Sequence, residues 1–200
     1  MKQSLTPSIK LPLAMAGCGM ALLAATAPAS AADPSIVVGS HNLLPNTHHQ
    51  PIAIRVAGVS SVGMLNFNAQ IAAGTGTSYP VFDGVDLTTG TIFAPDHIDP
   101  LDTGSVPRLA TWSIVTASGT ISSAEGLLAT LYVDTTGVSS GTYSLSLGDT
   151  LNGPAVFYDA TGLTKIPIPI TDGSFTIVPE PASTALFLLT APALLLRRKR

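Results

Sequence analysis

The sequence predicts an all-β domain, a sandwich or a barrel, between residues 32 and 178. Three observations indicate this fold class. Long helical periodicity is absent from the region, short runs rich in Val, Ile, Thr, Tyr and Phe recur along it, and residues that favour turns separate these runs. A span of this length is typical of one domain and is sufficient to bury a core.

Eight segments have the composition of strands. In the third, apolar side chains from Leu65 to Ile71 alternate with amides, which indicates a strand with one buried face and one hydrated face. The segment from Leu127 to Val133 is apolar at nearly every position and predicts a central strand. The predicted strands are Ser35–Gly39, Ile52–Ala57, Gly63–Ala72, Leu109–Ala117, Gly126–Asp134, Thr142–Leu147, Ala155–Tyr158 and Gly173–Val178.

The region from Gly74 to Pro107 is the least regular part of the domain. It contains several turn pairs, among them Tyr79-Pro80, Asp83-Gly84 and Asp99-Pro100. A loop of this length is unusual inside a compact domain. We therefore expect either a functional loop or a regular element that the sequence pattern does not reveal.

The amino terminus has the three parts of a secretory signal peptide. Lys2 and Lys10 precede an apolar run at residues 11–27, and Ala29-Ser30-Ala31 forms a small-residue cleavage site, with Ala29 and Ala31 as its key positions. We expect cleavage after Ala31. A lipoprotein signal that modifies Cys18 and an uncleaved buried helix are the alternatives.

The carboxyl terminus combines three features in a fixed order. Pro179-Glu180-Pro181 follows Val178, residues 182–196 are apolar, and the chain ends in four cations, Arg197, Arg198, Lys199 and Arg200. As a helix, the apolar stretch would span about 22 Å, less than the roughly 30 Å of a hydrocarbon core. We therefore expect transient contact with the inner membrane, with the cations held in the cytoplasm.

This terminus resembles the PEP-CTERM sorting signal over residues 178–200. The resemblance implies processing near the tripeptide by an exosortase, a membrane-embedded transpeptidase-like enzyme. It also implies release or attachment at the surface of an exopolysaccharide-producing bacterium. An ordinary tail anchor with a chance Pro-Glu-Pro is the alternative. The chain then divides into a signal peptide at residues 1–31, a β-sandwich at 32–178 and a sorting segment at 179–200.

Charge is segregated between the two ends and the middle. Eleven of the twelve acidic residues lie between Asp33 and Asp172, whereas only three basic residues do. A domain with so few cations cannot neutralise many phosphates, which excludes nucleic acid as a partner. The single cysteine, Cys18, lies in the predicted signal peptide, so the mature domain would have neither a disulfide nor a cysteine nucleophile.

The order of motifs in the middle resembles that of cohesin domains. Residues 62–71 are similar to an early cohesin strand, residues 126–133 to the G-x-L-A-x-L-x-F strand, residues 141–147 to G-x-Y-x-L-x-L, and residues 172–177 to the closing strand. The resemblance implies an antiparallel jelly-roll sandwich of about nine strands, related to carbohydrate-binding modules. Cohesins recognise calcium-loaded dockerins, but the chain has no dockerin-type Asp/Asn repeat, so cellulosome assembly is not implied.

Three aspartates, Asp96, Asp99 and Asp102, form a D-x-x-D-x-x-D pattern in the irregular region. Ca²⁺ prefers carboxylate ligands, and Asp is also an ordinary turn residue, so a structural calcium site and solvated turns are both open. No other cofactor is expected. His48 and His49 are adjacent and would face opposite sides, which favours solvated side chains over a metal site.

Catalytic patterns are weak in this sequence. Glu125 is the only glutamate of the domain, and nothing pairs it with a second acid for glycoside hydrolysis. Trp112 and Tyr132 would supply a sugar-stacking surface, although the apolar neighbours of Trp112 favour the core. We therefore expect a secreted, non-enzymatic protein of the cell surface or extracellular matrix, which acts in adhesion or scaffolding by contact with a protein or polysaccharide. A carbohydrate-binding module is the first alternative, and a glycoside hydrolase is the second.

Overall fold

The computed structural model describes residues 34–72, 78–121, 124–149 and 152–179, which form strands, turns and loops without a helix. The expected signal helix and the apolar helix at 182–196 lie outside these ranges. Within the ranges, no helix has the length and hydropathy needed to cross a bilayer. The strands are β1 Ser35–Val37, β2 Ser40–Leu43, β3 Gln50–Val59, β4 Met64–Ile71, β5 Val81–Asp86, β6 Ile98–Asp102, β7 Leu109–Val115, β8 Ala124–Asp134, β9 Gly141–Ser146, β10 Gly148–Asp149, β11 Gly153–Pro154, β12 Val156–Tyr158, β13 Lys165–Ile166, β14 Ile170–Thr171 and β15 Gly173–Ile177.

The strands form two sheets that share one core. The first sheet has the order β14-β1-β3-β8-β5. The second has the order β13-β12-β4-β9-β15-β2, with β7 beside β4 and β6 beside β7, while β10 and β11 form a separate hairpin. Buried side chains from both sheets belong to a single hydrophobic cluster, so the architecture is the predicted all-β sandwich.

Period-two alternation builds the core from both sides. Ile52 and Ile54 of β3 and Leu65 and Phe67 of β4 have no solvent exposure. Burial of each such side chain stabilises the fold by about 1.5–3 kcal/mol. The segment predicted as a central strand is β8, which pairs with β3 on one side and with β5 on the other.

The strand pairs of the sandwich are antiparallel, as expected, except for two parallel pairs, which correct the expectation at those positions. β1 runs parallel to β14, and β2 runs parallel to β15. The reason is that the opening and closing segments cross from the first sheet to the second side by side, at Gly39 and at Asp172-Gly173. The N–H of Ser174 donates to the carbonyl of Gly39 at 3.0 Å, so the two chains stay hydrogen-bonded through the crossing.

All eight predicted strands are present, and of the two interpretations left open for the region from Gly74 to Pro107, the structure supports hidden regular elements. This region contains β5 and β6. The strand register shifts at Asp83-Gly84 in β5 and at Asp99-Pro100 in β6. Both strands lie at a sheet edge, where glycine, proline and bulges are tolerated, and these residues disguised them in the sequence.

Candidate docking surface

A row of apolar side chains crosses the outer face of the second sheet. Ile98 of β6 pairs with Val115 of β7, Val115 with Met64 of β4, and Met64 with Tyr158 of β12. Residues directly opposite each other in a sheet point to the same side, so these four form one continuous line across four strands. The other side of the same strands supplies the core, for example Leu65, which is fully buried.

A second row extends this surface by one step along the strands. Leu101 pairs with Ser113, and Asn66 lies between Ser113 and Val156. Ile98 is 58% exposed and Leu101 is 66% exposed, which is unusual for side chains of this size on a sheet face. We call this surface the apolar face, and its apolar members are Met64, Ile98, Leu101, Val115, Val156 and Tyr158.

The apolar face ends in polar groups further along β4. Asn68 and Gln70 continue the outward positions of that strand, and the amide of Asn68 donates to the carbonyl of Gly153 at 3.3 Å. A cavity of about 260 Å³ lies here, lined in part by Asn66, Asn68, Thr103 and Asn152. An apolar centre with a polar margin is the usual composition of a protein–protein contact surface.

At its other end, the apolar face adjoins a small cavity of about 270 Å³. Met64 and Val115 form one wall, and mostly small residues from two loops, 116–119 and 160–162, form the rest. Gly63 lies at the base, where an added Cβ would come within 2.4 Å of the carbonyl oxygen of Asp159. Close backbone approach therefore keeps this end of the surface small and concave.

The three aspartates of the D-x-x-D-x-x-D pattern are not used together. Asp96 accepts hydrogen bonds from the backbone N–H and hydroxyl of Ser118, which lower its pKa. Asp102 accepts the N–H groups of Gly104 and Ser105 at 2.9 and 2.8 Å, which lower its pKa as well. Asp99 is exposed on β6. No three His, Cys, Asp or Glu side chains among the described residues could together hold a metal ion.

His48 and His49 diverge, each towards a different carboxylate. Nδ1 of His48 lies 2.8 Å from Oδ2 of Asp134, and Nδ1 of His49 lies 3.5 Å from Oδ2 of Asp83. Burial would raise the pKa of Asp134, but hydrogen bonding by Thr136 and the proximity of His48 outweigh it and lower that pKa. Both imidazoles are largely exposed.

Tyr132 and Trp112, the two aromatic residues considered for sugar stacking, lie in different surroundings. Tyr132 lies on the outer face of the first sheet, where its ring stacks on His49 with centroids 3.8 Å apart. Trp112 is partly buried and packs against the core, as its neighbours suggested, but it also lines a groove between the edges of the two sheets. Glu125 is exposed at the start of β8.

Of the predicted sorting segment, the structure describes only Val178 and Pro179. The N–H of Val178 donates to the carbonyl of Leu43 at 3.1 Å, which extends the pairing of β15 with β2, and Pro179 follows in an exposed position. Glu180, Pro181, residues 182–196, the cations Arg197, Arg198, Lys199 and Arg200, and the cleavage residues Ala29 and Ala31 lie outside the described residues.

Sequence reasoning missed the most exposed members of the apolar face, Ile98 and Leu101. Their only signal was two large apolar residues within an Ile-Asp-Pro-Leu-Asp segment that otherwise favours a turn. Met64, Val115, Val156 and Tyr158 fell at the ends of predicted strands, where the pattern did not assign a face.

No protein-family model matches the chain, and no curated protein matches it. Solved structures do match, and cohesins are prominent among them. They define the class of fold: this chain is a cohesin-like β-sandwich, as the motif order suggested.

Three cohesin structures illustrate the similarity. The seventh ScaB type I cohesin of Pseudobacteroides cellulosolvens is 18% identical, with a TM-score of 0.53, over 74% of this chain and 94% of that one. The non-cellulosomal cohesin of Archaeoglobus fulgidus is 15% identical, with a TM-score of 0.53, over 77% and 97%. The third ScaC cohesin of Acetivibrio cellulolyticus, solved with the ScaB dockerin, is 14% identical, with a TM-score of 0.55, over 73% and 99%.

Proposed function

We propose that this protein is a non-catalytic surface module that docks another protein on the apolar face. The observation that carries the proposal is the line of Ile98, Val115, Met64 and Tyr158, in register across four strands and partly open to solvent. Association buries apolar area of this kind, which is its main driving force. Cohesins solved in complex with dockerins support the same role, because they use this fold to bind a protein.

A non-catalytic role also agrees with the state of the carboxyl groups. The pKa values of Asp86, Asp96, Asp102, Asp134 and Asp159 are all lowered, so these groups are held in the ionised form. The general acid of a glycoside hydrolase needs a raised pKa instead. These five carboxylates are therefore unsuited to that role.

We propose further that the chain is exported and then sorted by an exosortase. The support is the amino-terminal signal pattern together with the Pro-Glu-Pro segment, the apolar stretch and the basic end. Mass spectrometry of the mature protein in cells with and without the exosortase tests this step. We expect new termini near Ala31 and Pro181 in the first strain and an intact residue 182–200 segment in the second. Identical carboxyl termini in the two strains would contradict sorting by the exosortase.

Site-specific photo-crosslinking tests the docking proposal. A photoreactive residue replaces Ser113, which lies in the apolar face, and the chain is illuminated at the surface of the producing cells. We expect one dominant protein adduct, which Ile98→Asp and Val115→Asp together abolish. The same label at Ala53, on the outer face of the first sheet, is the matched control. Equal amounts of adduct from labels at Ser113 and Ala53 would refute docking at this face. So would an adduct at Ser113 that still forms in the Ile98→Asp/Val115→Asp variant.

Polysaccharide binding is the second candidate, and one observation favours it. The stacked rings of His49 and Tyr132 lie on the outer face of the first sheet, beside Gly84 and the small side chain of Ala53. A ring pair on a smooth sheet can stack on sugar rings. Binding of the purified chain to the exopolysaccharide of its own cells would be lost in Tyr132→Ala and kept in Ile98→Asp.

A further inference from the structure

A groove opens between the edges of the two sheets, on the side of β6 and β7 opposite to the apolar face. It has a volume of about 390 Å³, which is in the range of sites for small ligands or single side chains. One wall is β5 of the first sheet, and the other comprises β7 and the loop that joins it to β6. The N–H of Phe82 donates to the carbonyl of Pro107 at 2.7 Å and closes one end.

The interior of this groove is aromatic and aliphatic. Trp112 and Phe82 line it, together with Val85, and all three are partly buried and pack against the core. Trp112 is on the core side of β7, opposite the fully buried Phe67, but it lies near the open edge of the sandwich. An indole in this position packs against the core and presents part of its surface to the groove, and it also lines the cavity beside Asn66 and Asn68.

The ionisable side chains that line the groove are both acidic, Asp83 and Asp102. Both hydrogen bonds from the turn at Gly104 and Ser105 go to Oδ1 of Asp102, so its other oxygen, Oδ2, is not used by that turn. These hydrogen bonds lower the pKa of Asp102 and keep it charged. Asp102 forms no ion pair with a cation among the described residues, and the guanidinium of Arg108, in the loop that follows β6, donates to the carbonyl of Ile71.

We propose that this groove binds a cationic side chain, an arginine or lysine of a partner protein. A guanidinium can stack on an indole and pair with a carboxylate at the same time. Charge complementarity favours a cation over a neutral sugar here, because both ionisable side chains that line the groove are acidic. The segment from Asp33 to Asp172 also contains eleven acidic residues and only three basic ones. The chain itself contains the same stacking geometry, with the Arg108 guanidinium 4.4 Å from the ring centroid of Tyr79.

Trp112 is the only tryptophan of the chain, so its fluorescence reports on this groove directly. Purified full chain is titrated with a capped tri-arginine peptide, and with a capped tri-citrulline peptide as the neutral match. We expect a saturable change in emission with tri-arginine that weakens as salt is added, and little change with tri-citrulline. Asp102→Asn keeps a side-chain oxygen that can accept the hydrogen bonds of the turn, and it should weaken binding about fivefold, the upper range for an exposed charge pair.

Asp99→Asn is the matched control, because Asp99 is also an exposed acid of β6 but does not line the groove. It should bind tri-arginine as the native chain does. Equal responses to the two peptides, or an affinity unaffected by salt and by Asp102→Asn, would overturn the proposal. The proposal would also be overturned if a neutral oligosaccharide changed the Trp112 emission and tri-arginine did not. That result would identify the groove as a sugar site. None of these outcomes depends on whether the apolar face docks a partner.

Discussion

Gly173 is the residue at which the closing segment passes from the first sheet to the second. An added Cβ would lie 1.9 Å from the carbonyl oxygen of Gly39 and 2.8 Å from the side chain of Val38. The neighbour is backbone that is itself hydrogen-bonded to Ser174, so it cannot move aside without breaking the crossing. A glycine is therefore required here because of close approach between two chain segments.

Gly173→Ala is expected to lower the free energy of unfolding by about 3 kcal/mol, the upper end for an overpacked site. Gly84→Ala is the control for a milder clash. Its Cβ would lie 3.3 Å from the Tyr132 ring, and a side chain can move aside more easily than backbone. We expect Gly84→Ala to cost about 1 kcal/mol. Urea unfolding of both variants measures the difference. A larger loss at Gly84 than at Gly173 would contradict the geometry of the crossing.

Asp86 is a turn residue whose ionisation makes the stability of the fold depend on pH. Burial would raise its pKa, but hydrogen bonds from Thr89 and Thr88 outweigh this and lower the pKa to about 2. Oδ1 accepts the N–H groups of both threonines at 2.8 Å. A carboxyl group with a lowered folded-state pKa stabilises the fold above its unfolded value of 3.8 and loses that contribution as the pH falls towards 2.

Asp86→Asn is expected to flatten the acid side of the stability profile. The native chain should lose stability between about pH 4 and pH 2, and the variant should lose less over the same interval because the titrating group is gone. Thr88→Val, which removes one hydroxyl donor, should lie between the two. Thermal melts at pH 5, 4, 3 and 2 measure this. Parallel profiles for all three chains would show that Asp86 does not contribute.

At the level of elements, the loop at residues 44–49 is fixed to the body by a hydrogen-bond network of two buried side chains, Gln50 and Thr135. The side chain of Gln50 accepts the N–H of Leu44 at 2.6 Å and donates to the carbonyls of Leu44 and Thr47 and to Thr135 Oγ1. This network places His48 and His49 beside β8 and β5. A buried polar group with so many partners orients a loop that has no strand pairing of its own.

Gln50→Leu should therefore cost about 1–3 kcal/mol, because it removes the acceptor of the Leu44 N–H and the side-chain donor to Thr135. Gln70→Leu is the control, since this amide points outward from β4 and is only partly buried. Amide hydrogen exchange should show faster exchange at residues 44–49 in the first variant alone. Unchanged protection of this loop in Gln50→Leu would show that another contact holds it.

The elements also show where sequence patterning succeeds. β4 and β8 were predictable, because Leu65 to Ile71 alternates and Leu127 to Val133 is apolar almost throughout, and both patterns follow from burial in a sheet interior. β5 and β6 were not, because edge strands need neither pattern and accept Gly84 and Pro100. The apolar face depends on this edge position, so Ile98 and Leu101 could not be assigned to a surface from sequence.

On the scale of the whole molecule, the motif order predicted a cohesin-like sandwich, and the solved cohesins confirm that fold. Spacing alone did not predict a shared site: Asp96 and Asp102 are six positions apart, yet Asp96 accepts hydrogen bonds from the distant Ser118, whereas Asp102 accepts those of its own turn. Parallel pairing of β1 with β14 was also invisible, since it arises from the crossing of two distant segments. The boundaries at residues 31 and 178 stay predictions, as do export and sorting.

Docking at the apolar face is tested most directly by the affinity of the chain for the protein that crosslinks through Ser113. Calorimetry compares the native chain with the double variant Ile98→Asp/Val115→Asp and with Val37→Asp, an apolar position on the first sheet that is 43% exposed, close to the 39% of Val115. We predict at least about a hundredfold weaker binding for the double variant, since charging a buried anchor costs about 2 kcal/mol or more. Val37→Asp should bind as the native chain does. Native affinity in the double variant, or a greater loss in Val37→Asp, would contradict docking at this face.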